Sequence, residues 1–493
     1  MTETLSAGYT EKAAVMQTVA RMNVRCEGAS GVLAVNAAAS VRVSEVISGE
    51  VRLAGREYAE VTVAAEDGVR KASGTAEISD RAEIPGITPD VRAFALCRVT
   101  DTDIVSVGGG NITLASVIEI TVMVERAAVL PPSPEPEDGI FTDSESIRFS
   151  RLTARVTGRA ESGESERLNI VEVLCCNAGL APEAPETALD AIYASGRFIL
   201  DGVGKTAEGL LTPFTVELPY NAEIAAEGVR RGDRAFMRTG PVTVTENYGE
   251  NGLTLRAGAE LDLDVYCEVS AGIVTDAFSP VKELELGRAE VCGALAGDPV
   301  TFEEKAEGSA ILAEGDNADK ITAVCGFRAT ALSAYAENGK VVLEGAAGGW
   351  VIYSDAEAGR RSSVNAELPF RFVTDIDAED GCEPQADVRV CSVSARPARR
   401  GEISLVCALS FTVMPVARVC VRPVTGVSVS VEKEDRTGTL SMHCASEGET
   451  LWECAKALSV PPDAVLAQNP ELSFPLSKGD KVFVFRSRIS RAP

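Results

Sequence analysis

Four short sequence markers recur in the same order three times along this chain of 493 residues. One of them is a glycine turn between apolar residues, centred on Gly49, Gly196 and Gly339. A fixed order of markers at a regular long spacing is the signature of a repeated structural unit. The sequence therefore predicts a triplicated domain, which constrains the fold more than any other feature.

Within each copy, apolar and polar residues alternate with a period of two. In the run that closes the second copy, Leu261, Leu263 and Val265 alternate with Asp262 and Asp264. Such alternation places one side of an antiparallel strand on a core and the other side in water. Glycine clusters before two of the closing runs are typical of hairpin connections. Each copy is therefore predicted to be an antiparallel β domain, either a sandwich or a barrel.

The predicted fold is mainly β, with three related antiparallel β domains followed by a smaller domain of different character. A Pro-rich acidic linker follows the first copy, whereas no comparable linker separates copies two and three, which predicts that those two pack together. The predicted boundaries are β repeat 1 at 8–127, linker 128–139, β repeat 2 at 140–271, β repeat 3 at 272–416, linker 417–438 and the C-terminal domain at 439–486.

Charge and composition exclude several classes of function. Acidic residues number 73 and basic residues 47, which gives a net charge of −26. This charge repels phosphate backbones and anionic lipid, so no nucleic-acid partner is expected. The chain has a single histidine, which argues against most histidine-based metal sites and acid–base triads. We therefore expect no catalytic residues, no metal and no cofactor.

Features of the chain that report on its cell compartment favour the cytoplasm. The N-terminus lacks a basic start followed by an apolar run, so no signal peptide is predicted. The longest charge-free stretches, 104–118 and 403–417, have 15 residues each, short of the ~20 that span a bilayer. Thirteen cysteines without a CxxC pair are typical of reduced, buried thiols in a cytosolic protein.

The C-terminal segment changes from strand patterns to a mixed pattern. Residues 440–444 alternate as a short strand, and residues 451–458 place apolar side chains at helical spacing. Pro461 and Pro462 open a second helix, which ends at Asn469 and Pro470. Residues 481–485 read as a closing strand, so the predicted order is strand, helix, helix, strand.

This segment resembles the LysM domain, a small βααβ domain. The opening motif of the family corresponds to Gly-Glu-Thr-Leu-Trp-Glu-Cys-Ala at 448–455, and its Asn-Pro pair corresponds to Asn469 and Pro470. Its closing Pro-Leu-x-x-Gly turn corresponds to 475–479. Two residues depart from the family pattern, because Glu449 replaces the usual aspartate and Cys454 replaces an aliphatic residue.

The LysM resemblance implies a shallow groove between two loops that binds glycans containing N-acetylglucosamine. The same positions are turn and capping residues that the fold needs in any case, so recognition of a protein through this module is an equal alternative. Transferred by position, the predicted groove residues are Gly448, Glu449, Thr450, Leu451, Asn469, Pro470, Glu471 and Leu472.

The repeats have a resemblance of their own. Residues 275–280, followed by the alternating residues 284–286, are similar to the start of a SPOCS domain, which belongs to spore-forming Firmicutes. SPOCS-type repeats followed by one LysM domain resemble the SipL-type spore coat assembly proteins. That resemblance implies that the LysM domain docks onto the morphogenetic ATPase of the coat, on the forespore surface in the mother-cell cytoplasm.

Enzyme interpretations of the remaining motifs are weak. Residues 202–206 mimic a phosphate-binding loop, but Ile199 occupies the position of the required first glycine, and a hairpin turn fits better. His443 and Cys444 are neighbours on one strand, so their side chains point to opposite faces. The sequence therefore predicts a non-catalytic scaffold in spore coat assembly, with a glycan-binding cell-wall protein as the alternative. Strand edges in the β domains also offer sites for self-association.

Overall fold

The structure is a computed structural model that describes residues 6–65, 68–132, 137–249, 252–355, 360–379, 381–399, 401–433 and 440–485. These residues form 26 β-strands and two short α-helices, so the predicted mainly β character is confirmed. Among them, neither helix has the length and apolar character that a bilayer crossing requires.

The first β unit has six strands in two antiparallel sheets of three strands each. In one sheet the first strand pairs with the last, which also pairs with the fifth. In the other sheet the second, third and fourth strands pair in sequence. The strands are β1 (Ser6–Arg25), β2 (Ala29–Ile47), β3 (Glu50–Ala65), β4 (Gly68–Glu83), β5 (Ala93–Gly108) and β6 (Asn111–Val129).

The second β unit follows the same pairing scheme with two additional short strands. The strands are β7 (Phe141–Glu161), β8 (Glu172–Pro182), β9 (Glu186–Ala188), β10 (Ala191–Lys205), β11 (Leu211–Ala225), β12 (Arg234–Thr239), β13 (Thr243–Gly249) and β14 (Gly252–Phe278). The first strand, β7, pairs with the long last strand, β14, which also pairs with β12 and β13. Strands β8, β10 and β11 form the other sheet, and β9 pairs with β10.

The third β unit repeats the scheme of the first. The strands are β17 (Val300–Ile311), β18 (Lys320–Glu337), β19 (Lys340–Asp355), β20 (Arg360–Asp377), β21 (Gln385–Pro397) and β22 (Glu402–Met414). Its two antiparallel sheets have the orders β17-β22-β21 and β18-β19-β20.

Alternating side chains build the core of each unit between its two sheets. On β6, Ile112, Leu114, Ile118, Ile120 and Val122 are fully buried, and they belong to an apolar cluster that draws on all six strands of the first unit. Burial of one such side chain stabilises the fold by roughly 1.5–3 kcal/mol. Equivalent clusters fill the second and third units.

The three β units meet in one buried apolar cluster. Leu33 of the first unit, Val203 of the second and Ile352 of the third pack there around a disulfide between Cys175 and Cys325. The first unit is therefore part of the same body, although only the second and third were predicted to pack together. Four of the thirteen cysteines are disulfide-bonded in the structure, which corrects the prediction of reduced thiols.

A buried ionic network also joins the three units. The fully buried carboxylate of Asp264 accepts hydrogen bonds from Arg155 at 2.6 Å and Arg238 at 2.8 Å. Arg155 also contacts Glu125 of the first unit, and Arg238 contacts Gln385 of the third. Burial alone would raise the pKa of Asp264, but the two guanidinium groups outweigh it and lower that pKa. The predicted water-facing position of Asp264 is wrong, because neighbouring units cover that sheet face.

The predicted linker at 417–438 is largely paired β-structure. Its alternating valines, such as Val427 and Val429, form a strand opposite Leu286 and Leu284. A disulfide between Cys292 and Cys420 joins a second strand pair. Residues 434–439, and residues 133–136 of the first predicted linker, lie outside the described residues. The strands are β15 (Lys282–Arg288), β16 (Val291–Ala296), β23 (Val416–Val421) and β24 (Val424–Glu432).

The C-terminal module, residues 440–485, contains both helices of the described chain. Its two strands pair antiparallel, with Leu440 opposite Phe485. Cys454, Val465 and Val482 are buried in its core, and Phe278 from the end of β14 belongs to the same apolar cluster. The elements are β25 (Leu440–Cys444), α1 (Leu451–Leu458), α2 (Pro462–Gln468) and β26 (Lys481–Phe485).

Candidate functional site

Backbone hydrogen bonds join the two loops that carry the predicted groove residues. The N–H of Gly448 donates to the carbonyl oxygen of Leu476 at 2.8 Å, and the N–H of Leu476 donates to the carbonyl oxygen of Glu449 at 2.8 Å. Gly448 has a φ of +80°, in the left-handed region that glycine adopts without steric cost. The turn before α1 is thereby held against the loop that follows α2.

Thr450 is the N-cap of helix α1. Its hydroxyl oxygen accepts a hydrogen bond from the N–H of Glu453 at 3.2 Å, and the Glu453 carboxylate accepts one from the N–H of Thr450 at 2.8 Å. This reciprocal pair is a capping box, which satisfies two otherwise unpaired N–H groups. The Thr450 hydroxyl also donates to the Glu453 carboxylate at 3.0 Å. Helix capping therefore already occupies the hydroxyl group of this exposed residue.

Asn469 is an interior residue, with 1% of its surface exposed. Its side-chain amide donates to the carbonyl oxygens of Val465 at 2.9 Å and Phe483 at 2.8 Å. Its carbonyl oxygen accepts a hydrogen bond from the N–H of Phe483 at 2.9 Å. Asn469 thus ties the end of α2 to strand β26, and both of its amide hydrogens are used inside the module.

The other six predicted groove residues differ in burial. Glu449 is partly buried, with 11% of its side-chain surface exposed. Leu451 and Leu472 are half-buried and pack against the apolar core of the module. Gly448, Pro470 and Glu471 are exposed. The accessible part of the predicted groove therefore consists mostly of backbone groups, one proline ring and the Glu471 carboxylate.

Helix α1 packs against the end of β14 in the second β unit. The Trp452 ring lies 4.9 Å from the Phe278 ring, measured between centroids, in an edge-to-face contact. The Asp276 carboxylate accepts hydrogen bonds from the Trp452 indole at 3.0 Å and from Lys456 at 2.5 Å. Burial opposes ionisation of Asp276, but these donors outweigh it and lower its pKa. In the sequence, Asp276 and Phe278 are part of a family marker only, and this contact was not predicted.

Strand β25, the turn before α1 and helix α1 bring His443, Glu449 and Cys454 together. The imidazole nitrogen Nε2 lies 2.6 Å from Oε1 of Glu449, and one ligand atom from each of the three residues lies within 4.8 Å of the others. The sequence places His443 next to Cys444, whose side chain is exposed on the opposite face of β25, and this cluster was not predicted.

The surroundings of this cluster shift the pKa of Glu449 and the pKa of Cys454 in opposite directions. The N–H of Ser446 donates to Glu449 at 2.8 Å. That backbone bond lowers the pKa of Glu449, and His443 adds to the effect against the opposing burial. Burial, together with the neighbouring Glu449 carboxylate, raises the pKa of the Cys454 thiol to about 12. An imidazole, a carboxylate and a thiol are all recognised metal ligands.

The outward side of the β25–β26 sheet is exposed and, apart from Lys481 opposite Cys444 at one end, apolar. Leu440 faces Phe485 across the two strands, and Met442 faces Phe483. Between 43% and 68% of the surface of each of these residues is exposed. We call Leu440, Met442, Phe483 and Phe485 the outer sheet face.

The segment that resembles a phosphate-binding loop belongs to a hairpin. Gly204 and Lys205 end strand β10, opposite Thr212 and Leu211 of β11. The N–H of Thr206 donates to the carbonyl oxygen of Leu210 at 2.9 Å, which closes the turn. The turn predicted at residues 202–206 thus lies mostly on strand β10, and the hairpin turn itself follows at residues 206–210.

No protein-family model, curated protein or solved structure matches this chain. Function therefore has to be argued from the site itself. The C-terminal module holds the predicted groove residues, the His443 cluster and the outer sheet face.

Proposed function

We propose that this chain is a non-catalytic scaffold of bacterial spore coat assembly whose C-terminal module recognises a protein partner. The resemblances to SPOCS and LysM domains supply the biological setting. The exposed outer sheet face supplies the single observation that favours a protein over a glycan.

The outer sheet face has the composition of a protein-binding surface. Contiguous exposed apolar groups are uncommon on soluble proteins and mark interaction sites. Aromatic residues and methionine are enriched in such interfaces, and Phe483, Phe485 and Met442 fit that pattern. A partner that covered these half-exposed side chains would gain roughly 1 kcal/mol from each.

The partner that the family resemblance supports is the morphogenetic ATPase of the coat, on the forespore surface in the mother-cell cytoplasm. In this proposal the three β units form an acidic body that carries the recognition module. Repeated units add further weak contacts, and linked weak contacts sum to firm attachment.

The alternative partner is a glycan containing N-acetylglucosamine, bound in the groove. Gly448, Pro470 and Glu471 are the exposed groups in its favour. Against it, the side chains of Thr450 and Asn469 already use their hydrogen-bonding groups inside the module. We therefore place protein recognition first.

Two assays separate these functions. One measures binding of the full chain to the purified coat ATPase of a spore-forming Firmicute, and the other measures its sedimentation with peptidoglycan. Met442→Glu puts a charge on the outer sheet face, and Glu471→Ala is the matched change in the groove. We expect Met442→Glu to weaken ATPase binding at least tenfold, because the charge must be desolvated in the interface. Glu471→Ala should bind as the unchanged protein does.

Two results would contradict the proposal. The first is that the chain does not bind the ATPase, or that Met442→Glu binds it as tightly as the unchanged protein does. The other is sedimentation with peptidoglycan that Glu471→Ala abolishes, which would establish the glycan-binding alternative. Hydrogen exchange of the C-terminal module in both variants controls for unfolding.

A further inference from the structure

We propose that His443, Glu449 and Cys454 form a binding site for a divalent zinc ion in the C-terminal module. The inference does not depend on which partner the module recognises. It comes from three different ligand types that the fold places around one point.

The distances suit a tetrahedral ion after a small adjustment. Zinc binds nitrogen and oxygen at about 2.0–2.2 Å and sulfur at about 2.3 Å, so neighbouring ligand atoms lie about 3.5 Å apart. The three ligand atoms now lie within 4.8 Å of one another, and Nε2 of His443 lies 2.6 Å from Oε1 of Glu449. An ion between these two atoms would separate them by about 1 Å and draw the Cys454 sulfur inward.

The surroundings hold the ligands in place and leave a path for the ion. Oε2 of Glu449 accepts a hydrogen bond from the N–H of Ser446 at 2.8 Å, which orients the carboxylate as outer-shell contacts of metal sites do. The side chain of His443 is 26% exposed, that of Glu449 is 11% exposed and Cys454 is buried. An ion can therefore enter from the histidine side, and water or a partner side chain completes the fourth position.

The chemistry of the three groups selects zinc among common divalent ions. Imidazole and thiolate ligands suit zinc, whereas magnesium and calcium require oxygen ligands. On binding, the Cys454 thiol loses its proton to solvent and the thiolate forms the metal–sulfur bond, with no change of oxidation state. Neutral His443, one carboxylate, one thiolate and Zn²⁺ sum to zero charge, which suits a partly buried position.

The sequence departures noted above coincide at this site. Glu449 and Cys454 are the two positions at which the module departs from the LysM pattern, and His443 is the only histidine of the chain. The longer side chain of Glu449 reaches His443, and Cys454 adds a thiol where an aliphatic residue would only pack.

Cobalt titration of the full chain under a phosphine reductant tests the site, because a cobalt–thiolate bond gives a near-ultraviolet charge-transfer band. We expect one Co²⁺ per chain with this band, and Zn²⁺ should displace it. Cys454→Val, an apolar replacement of similar size, should abolish the band, and His443→Gln should weaken binding at least tenfold. Cys444→Ser, which changes the exposed neighbouring cysteine, should leave the band intact.

A chain that binds no stoichiometric Co²⁺, or a band that persists in Cys454→Val, would overturn the site. His443 and Glu449 would then be a simple hydrogen-bonded pair beside a buried thiol. Hydrogen exchange gives a second readout, since Zn²⁺ that binds only the folded module should slow exchange in residues 440–458 of the unchanged protein. In Cys454→Val, the same Zn²⁺ concentration should have no effect on exchange.

Discussion

Replacement of Asn469 by alanine separates a structural role for this residue from a role in ligand binding. In the structure, its buried side chain makes three hydrogen bonds, to Val465 and to both backbone groups of Phe483. A typical hydrogen bond contributes about 1 kcal/mol net, and a buried group left without a partner costs 1–3 kcal/mol. We therefore expect Asn469→Ala to destabilise the C-terminal module by about 3 kcal/mol.

Gln468→Ala is the matched control. Gln468 also bonds both backbone groups of a β26 residue, Phe485, at 2.7 and 3.3 Å. Gln468 is exposed, so water can replace its hydrogen bonds, and the expected cost is less than about 1 kcal/mol.

Hydrogen exchange followed by mass spectrometry measures both variants, because the peptides of α2 and β26 report on local opening of the module. A loss of about 3 kcal/mol corresponds to roughly hundredfold faster exchange, and the control should change it by about fivefold or less. Equal exchange in Asn469→Ala and the unchanged protein would refute the structural role. It would also return Asn469 to the set of groups available to a sugar.

Three further predictions concern contacts between parts of the fold. The lowered pKa of Asp276 means that its bonds to Lys456 and Trp452 persist above the ordinary carboxyl pKa and are lost as the pH falls through the lowered value. The protection of α1 amides, corrected for the intrinsic pH dependence of exchange, should therefore fall on acidification, whereas Asp276→Asn should show low protection at every pH, and similar protection profiles in both proteins would contradict this. Asp264→Ala removes the buried carboxylate that Arg155 and Arg238 share, so denaturant titration should show a loss of about 3–5 kcal/mol, and a loss below about 1 kcal/mol would argue against the network. Cys175→Ser should reduce stability by roughly 2–4 kcal/mol in oxidising buffer but not with a reductant, and an equal loss in both buffers would exclude the disulfide as the cause.

The features predicted from the sequence are those that depend on neighbouring residues. Alternation in runs such as 261–265 predicted strands correctly, because side chains of a strand point to opposite faces in turn. The hairpin turn predicted at residues 202–206 was placed within a few residues of the observed turn at 206–210 for the same local reason, since a turn between two paired strands needs only a few residues.

Contacts between distant segments were not predicted. Cys175 and Cys325 are separated by 150 residues, and nothing in their local sequence indicates that they face each other. Asp264 was assigned to water because its strand has a polar side, but a second layer of packing buries that side against other units. A period-two pattern does not distinguish a polar interface from a solvated surface.

The candidate site was predicted only in part. The motif placed Thr450 and Asn469 in loops beside each other, but sequence alone does not show that their polar groups are already used. His443 and Glu449 lie six residues apart with a turn between them, so only the three-dimensional structure brings them within 2.6 Å.

A hydrogen-exchange footprint of the full chain bound to the purified coat ATPase tests the central claim most directly. Recognition through the outer sheet face predicts slower exchange in peptides that cover β25 and β26, with the loops at 447–450 and 470–473 unchanged. Protection confined to those two loops, or protection produced by peptidoglycan fragments and not by the ATPase, would contradict the account.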